Sequence, residues 1–146
     1  MFLTRFTRVD GAGPEDYLYN SYEEARNHFD LFLNDDSKLY RNICVIGENM
    51  EVLCILPFDN KGNALEAINL YEQVRLLPEY ASEAERELVF VATALNEQYG
   101  GRVDITYHSP NGLLPSTETV DIYMIEPLGY SDEVLYAAKE KRLHNA

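Results

Sequence analysis

Apolar positions in this chain fall into blocks whose period changes along its length. The densest block, Ile43–Phe58, reads ICVIGENMEVLCILPF: two apolar runs, Ile43–Ile46 and Val52–Leu56, on either side of Gly47-Glu48-Asn49. Gly and Asn tolerate positive φ, and mostly β-branched or otherwise apolar residues flank them, so the block predicts a β-hairpin. The hairpin has no wet side. Cys44 and Ile46 alternate with Ile43 and Val45, and Val52, Cys54 and Leu56 alternate with Leu53 and Ile55, so both faces need cover. Each such side chain contributes roughly 1.5–3 kcal/mol when buried, as an upper bound. Helices are expected over at least one face, and helix, loop or a partner over the other.

The remaining blocks are read the same way. Residues 2–9 alternate loosely and predict a first strand, which Asp10-Gly11-Ala12-Gly13-Pro14 interrupts. Ser21 and Glu24 form a capping box ahead of Ala25, His28, Phe29, Phe32 and Leu33, predicting a helix over 21–34. Ala64, Leu65, Ile68, Tyr71, Val74 and Leu77 suggest a helix capped by Asn63 and stopped by Pro78. Ser82 and Glu85 form a second capping box, and Leu88, Val89, Ala92, Leu95 and Tyr99 predict the longest helix, ended by Gly100-Gly101. Strict alternation returns in Arg102–His108 and Thr119–Glu126, two strands with one polar face each, joined by a loop over 109–118. Ser131 caps a last helix, Asp132–Leu143, acidic first and basic last as its dipole prefers. The order β-α-β-β-α-α-β-β-α predicts an α+β fold, an antiparallel sheet with helices packed on at least one face, in a single domain of residues 1–146.

Charge narrows the functional classes. Twenty-five acidic residues against twelve basic ones give a net charge of −13 over 146 residues. Phosphate affinity is carried by Lys and Arg, so direct binding to nucleic acid or an anionic membrane is disfavoured, and a basic partner is favoured. The N-terminus lacks the apolar core of a signal peptide and no run reaches membrane-span length, which points to a cytoplasmic protein with Cys44 and Cys54 reduced. A three-residue hairpin loop would set those cysteines opposite each other; a two- or four-residue loop would put them on opposite faces.

The sequence carries no phosphate-binding glycine loop, nucleophile elbow, C-x-x-C or H-E-x-x-H, and no cofactor or metal is expected. One catalytic constellation comes from the last hairpin. If Asp104 faces Tyr123, Thr106 faces Asp121 and His108 faces Thr119, then Asp104, His108, Asp121 and Tyr123 share a polar surface suited to acid–base work or ligand binding.

Charge combined with tyrosine offers a different reading. Tyr17, Tyr19, Tyr22 and Tyr40 surround the acid-rich stretch Glu15–Asp36, and Tyr80 stands beside Glu79, Glu83, Glu85 and Glu87. Tyrosine serves interfaces well because it offers large area and a polar tip with few rotatable bonds. In size, acidity and lack of catalytic motifs the chain is generally similar to phage and mobile-element inhibitors of host defence, nucleic-acid mimics among them. The acidic, tyrosine-bearing stretches around 15–36 and 79–87 predict a non-enzymatic module that docks on and occludes a basic partner, with Tyr22, Glu23, Asp35, Asp36, Glu83 and Glu87 as contacts, and the likeness implies a nucleic-acid-handling protein as that partner. The alternatives are a small enzyme or binding domain using the polar hairpin, and a homodimeric scaffold in which a second copy covers the hairpin's other face.

Overall fold

The computed structural model describes residues 1–107 and 116–129. Among them are ten β-strands and one α-helix, arranged as two five-stranded antiparallel sheets. The first sheet contains β1 (Phe2–Arg8), β2 (Glu15–Tyr19), β3 (Tyr40–Ile46), β4 (Val52–Pro57) and β5 (Ile68–Asn69) in the order β2-β1-β3-β4-β5. The second contains β6 (Gln73–Leu76), β7 (Phe90–Asn96), β8 (Arg102–Tyr107), β9 (Ser116–Asp121) and β10 (Ile125–Gly129) in the order β10-β6-β7-β8-β9. Each sheet is drawn from one continuous part of the chain.

The central hairpin is formed by β3 and β4, and its residues Ile43–Ile46 and Leu53–Leu56 are buried on both sides. Its outer face, shared with Thr4 and Phe6, is covered by α1 (Tyr22–Asp30). Ser21 Oγ accepts from Glu24 N to start that helix, Ala25 and Phe29 point into the core, and Thr4 Oγ1 donates to Ala25 O at 2.8 Å. The inner face, with Asn42, Cys44 and Ile55, meets the second sheet: Asn42 Nδ2 donates to Glu97 O at 2.8 Å, and Ile55 abuts Gly101. Cover for the second hairpin face therefore comes from the same chain, and the premise that led to a second copy is met internally. Cys44 lies opposite Ile55 and Cys54 opposite Val45, so the two free, buried thiols point to opposite faces.

The expected α+β class is overturned. The segments 64–77 and 82–99 are not helices: they supply β5, β6 and β7, leaving one nine-residue helix among the described residues of a sheet-rich fold. In β6 the buried residues Val74 and Leu76 flank exposed Arg75, and in β7 Phe90 and Ala92 flank Val91 before a register shift that brings Leu95 into the core, which is strand periodicity with one bulge. Half of the second capping box forms: Ser82 N donates to Glu85 Oε1, while Glu85 N donates to the Ser82 backbone carbonyl, closing a turn. That turn does not propagate into a helix, because Phe90 and Val91 pair with β6, and Val91 and Ala92 with β8, instead. The helix expected over 132–143 lies outside the described residues.

The chain crosses between sheets at a corner between β5 and β6. Tyr71 takes a left-handed backbone (φ 65°) and its N–H reaches Ala92 O at 2.7 Å, while Ala92 N reaches Glu72 O at 2.9 Å. The buried Glu72 carboxylate accepts from Asn69 N and Nδ2, and Asn69 Oδ1 accepts from the Arg26 guanidinium, tying the corner to α1.

Candidate functional site

The polar hairpin does not assemble as expected. In the β8–β9 register Asp104 faces Thr119, Thr106 faces Thr117 and Arg102 faces Asp121, four residues away from the pairing that would join Asp104 to Tyr123. Asp104 accepts from Thr119 Oγ1, Asp121 sits 3.6 Å from Arg102, and Tyr123 has left the strand in a short 3-10 turn over Ile122–Met124. His108 lies outside the described residues. What occupies that sheet face instead is a chain of hydroxyls, Thr93 to Thr106 at 2.9 Å and Thr106 to Thr117 at 3.0 Å, which braces three strands.

The expected docking residues are divided between two layers. Tyr22 and Glu23 open α1, and Asp35 and Asp36 lie in the turn that follows it, whereas Glu83 and Glu87 stand exposed in the connection between β6 and β7. Asp35 accepts from Ser37 Oγ at 2.7 Å, and the Tyr22 hydroxyl accepts from Arg26. The rings near α1 are engaged in packing: Tyr17, Tyr40, His28 and Phe32 all lie within 5.6 Å of the Phe6 ring centre. Acids on β2 are matched as well, Asp16 by Arg5 and Glu15 by Arg8.

Charge left over after this matching lies on both layers, at Glu23, Glu24 and Asp36 beside α1 and at a second cluster beyond β6. Glu79, Glu83 and Glu87 are exposed and hold no ion pair among the described residues. Glu85, held low by its hydrogen bonds to Ser82, abuts Glu118 of β9. Partial burial and then the Glu85 charge push the Glu118 carboxyl above its ordinary value. Beside them Tyr80 and Tyr123 meet edge to face at 5.7 Å, 41% and 52% exposed, and the negative charge of Asp121 raises the Tyr123 phenol. This is an acidic surface bearing a tyrosine pair, built by the 79–87 connection, the β9 edge and the turn that holds Tyr123. Of its members, Glu83, Glu87 and Tyr80 were legible as interface candidates; Glu118 was not, because only strand pairing brings it to Glu85.

A groove adjoins this surface where the ends of the sheets meet. Tyr123, Ile122, Phe58, Leu65, Arg41 and Tyr99 line a space of about 490 Å³, and a neighbouring depression of about 260 Å³ shares Arg41 and Tyr99. Among the described residues no three His, Cys, Asp or Glu side chains converge as a metal site would require, and no helix is long and apolar enough to cross a membrane. The chain matches no known protein family, no curated protein and no solved structure.

Proposed function

We propose that this protein is a non-enzymatic, acidic interaction module that docks on the basic surface of a protein partner and occludes it, the partner being of the nucleic-acid-handling kind whose cationic groove normally takes phosphate. The observation that carries the reading is the local surplus of carboxylate around Glu79, Glu83, Glu85, Glu87 and Glu118, beside the exposed Tyr80–Tyr123 pair. Elsewhere arginines absorb part of the acidity, Arg5, Arg8, Arg26, Arg75 and Arg102 each holding a carboxylate, while Glu23, Glu24 and Asp36 beside α1 stay exposed without an ion pair among the described residues. Burial and the Glu85 charge already push the Glu118 carboxyl up, and an arriving Lys or Arg would relieve the crowding of these two acids. Tyrosines at the margin supply the apolar contact area that charge alone lacks.

Docking of this kind is fast at low salt and weakens as salt rises, since the steering field is screened within about 8–10 Å at physiological ionic strength. The test is native mass spectrometry against a panel of basic nucleic-acid-binding domains over a salt series. The expected result is complex formation that falls with salt and is lost in the Glu83→Lys/Glu87→Lys double variant, while Glu23→Lys/Asp36→Lys on the helix layer retains it. Complexes indifferent to salt and to the first pair, or absent at low salt, overturn the proposal.

A further inference from the structure

We propose that the groove between the sheet ends binds a small carboxylate ligand carrying an aromatic or apolar ring, with Arg41 as its anchor and Tyr99 as its lip. Arg41 is the second residue of β3, and its backbone carbonyl accepts from Phe58 N at 3.1 Å, which fixes its position at the groove. Its guanidinium has neither a hydrogen bond nor an ion pair among the described residues, although five other arginines hold carboxylates and acids outnumber bases two to one. Asp59, which also lines the groove, does not serve it: that carboxylate turns into its own loop, accepting from Lys61 N and Asn63 N at 2.9 Å each. A guanidinium fork in this setting presents two parallel donors to a carboxylate.

The loop beside Arg41 is built around the same place. Tyr99, Gly100 and Gly101 carry consecutive positive φ values of 57°, 89° and 130°. Gly100 runs alongside the Arg41 stem, at a distance where a Cβ would make ordinary van der Waals contact with Arg41 Cγ (3.5 Å), so it is the positive φ and not the space that calls for glycine. Tyr99 is held in a left-handed conformation that an aromatic residue rarely adopts, yet it is 77% exposed, and its ring contact is Arg102, whose Cζ lies 5.1 Å from the ring centre. Strain kept at an exposed residue, without core packing in return, is the pattern of a functional position. The floor is apolar, from Phe58, Leu65 and Ile122, and the volume falls within the range of small-molecule sites. A single guanidinium over an apolar floor suits a ring-bearing monocarboxylate better than a free phosphate.

The test uses phenylacetate, phenylacetamide and inorganic phosphate as probes in NMR titrations of the full chain. Phenylacetate is expected to saturate and to shift the Arg41 and Tyr99 signals, with phenylacetamide and phosphate each at least about tenfold weaker, the size of one lost charge-assisted contact. Arg41→Gln is expected to lose about tenfold in affinity, and Arg86→Gln to change nothing. Equal binding of acid and amide, phosphate binding as tightly as phenylacetate, an unaffected Arg41→Gln, or no saturation by about 10 mM phenylacetate overturns the proposal. Glu83→Lys/Glu87→Lys is expected to leave phenylacetate binding intact, so this site and the docking surface fail or stand separately.

Discussion

Arg5 on β1 and Glu97 just beyond β7 are ninety-two residues apart in sequence, yet their guanidinium and carboxylate meet at 2.9 Å. Arg5 also holds Asp16 on β2 through two further hydrogen bonds, so one side chain fastens an edge strand and the second sheet to the same point. Both carboxylates and their hydrogen bonds hold the guanidinium protonated well beyond its ordinary range, outweighing the cost of its burial. Glu97 Oε2 is buried and has no partner among the described residues, so that carboxylate depends on Arg5. Arg5→Met is therefore expected to cost about 2 kcal/mol in urea denaturation, because it strands a partly buried charge. The Arg5→Met/Glu97→Met double variant should recover part of that loss. A loss in Arg5→Met below about 0.5 kcal/mol, the size typical of surface changes, contradicts this account.

The loop 99–101 makes opposite predictions at neighbouring residues. A Cβ on Gly101 would stand 2.9 Å from Ile122 Cγ2 and 3.0 Å from Ile55 Cδ1, at a φ that L side chains avoid. Gly101→Ala is expected to destabilise by about 1–3 kcal/mol or more. Tyr99→Gly instead removes left-handed strain from an exposed residue and should be neutral or stabilising by up to about 1 kcal/mol. Thermal denaturation of the two variants distinguishes them, and a destabilised Tyr99→Gly would mean that the ring packs more than its exposure indicates.

His28 gives the fold a pH dependence. Its Nδ1 lies 2.9 Å from the Tyr19 hydroxyl, with Phe6, Tyr17 and Phe32 packed around the ring, and burial lowers its pKa below the ordinary 6.5. The unfolded chain then takes up this proton before the folded one does. The stabilising contribution is complete above 6.5 and is lost as pH falls through that value toward the lower folded pKa. His28→Gln should flatten the fall in Tm over that interval, and an unchanged slope would exclude His28 as its source.

The thiols are expected to be inert in the folded protein. Cys44 is fully buried, and burial, followed by the Glu97 charge, pushes its pKa well up; Cys54 is buried on the other side of the sheet. Thiolate, the reactive form, is thus suppressed. A thiol reagent should label neither cysteine until denaturant opens the hairpin, and oxidation should yield no intramolecular bridge. Rapid labelling under native conditions would refute this.

The parts of the fold legible in the sequence were those with one dominant local signal. The β3–β4 hairpin has uninterrupted apolar runs around a glycine turn, and α1 has a capping box with Ala25 and Phe29 behind it. Residues 64–99 misled because two periods coincide there. Ile68, Tyr71 and Val74 are spaced as a helical stripe, but Tyr71 is the left-handed corner between sheets, and Val74 and Leu76 alternate around exposed Arg75. The run Val89-Phe90-Val91-Ala92-Thr93 was the better guide, since β-branched and aromatic residues suit a strand. The candidate surface was only half legible: Glu83 and Glu87 announce themselves by charge, whereas Glu118, Tyr123 and Arg41 gain meaning from a register and a corner that local sequence does not encode.

Because β1 to β5 precede β6 to β10 without exchange, a ribosome delivers the whole first sheet before any of the second. Until residue 73 and beyond emerge, Cys44, Ile46, Leu53 and Ile55 present a bare greasy plane to the cell. A fragment ending near Asn69 should consequently aggregate or recruit chaperones during synthesis, and the nascent chain is most vulnerable midway through its translation.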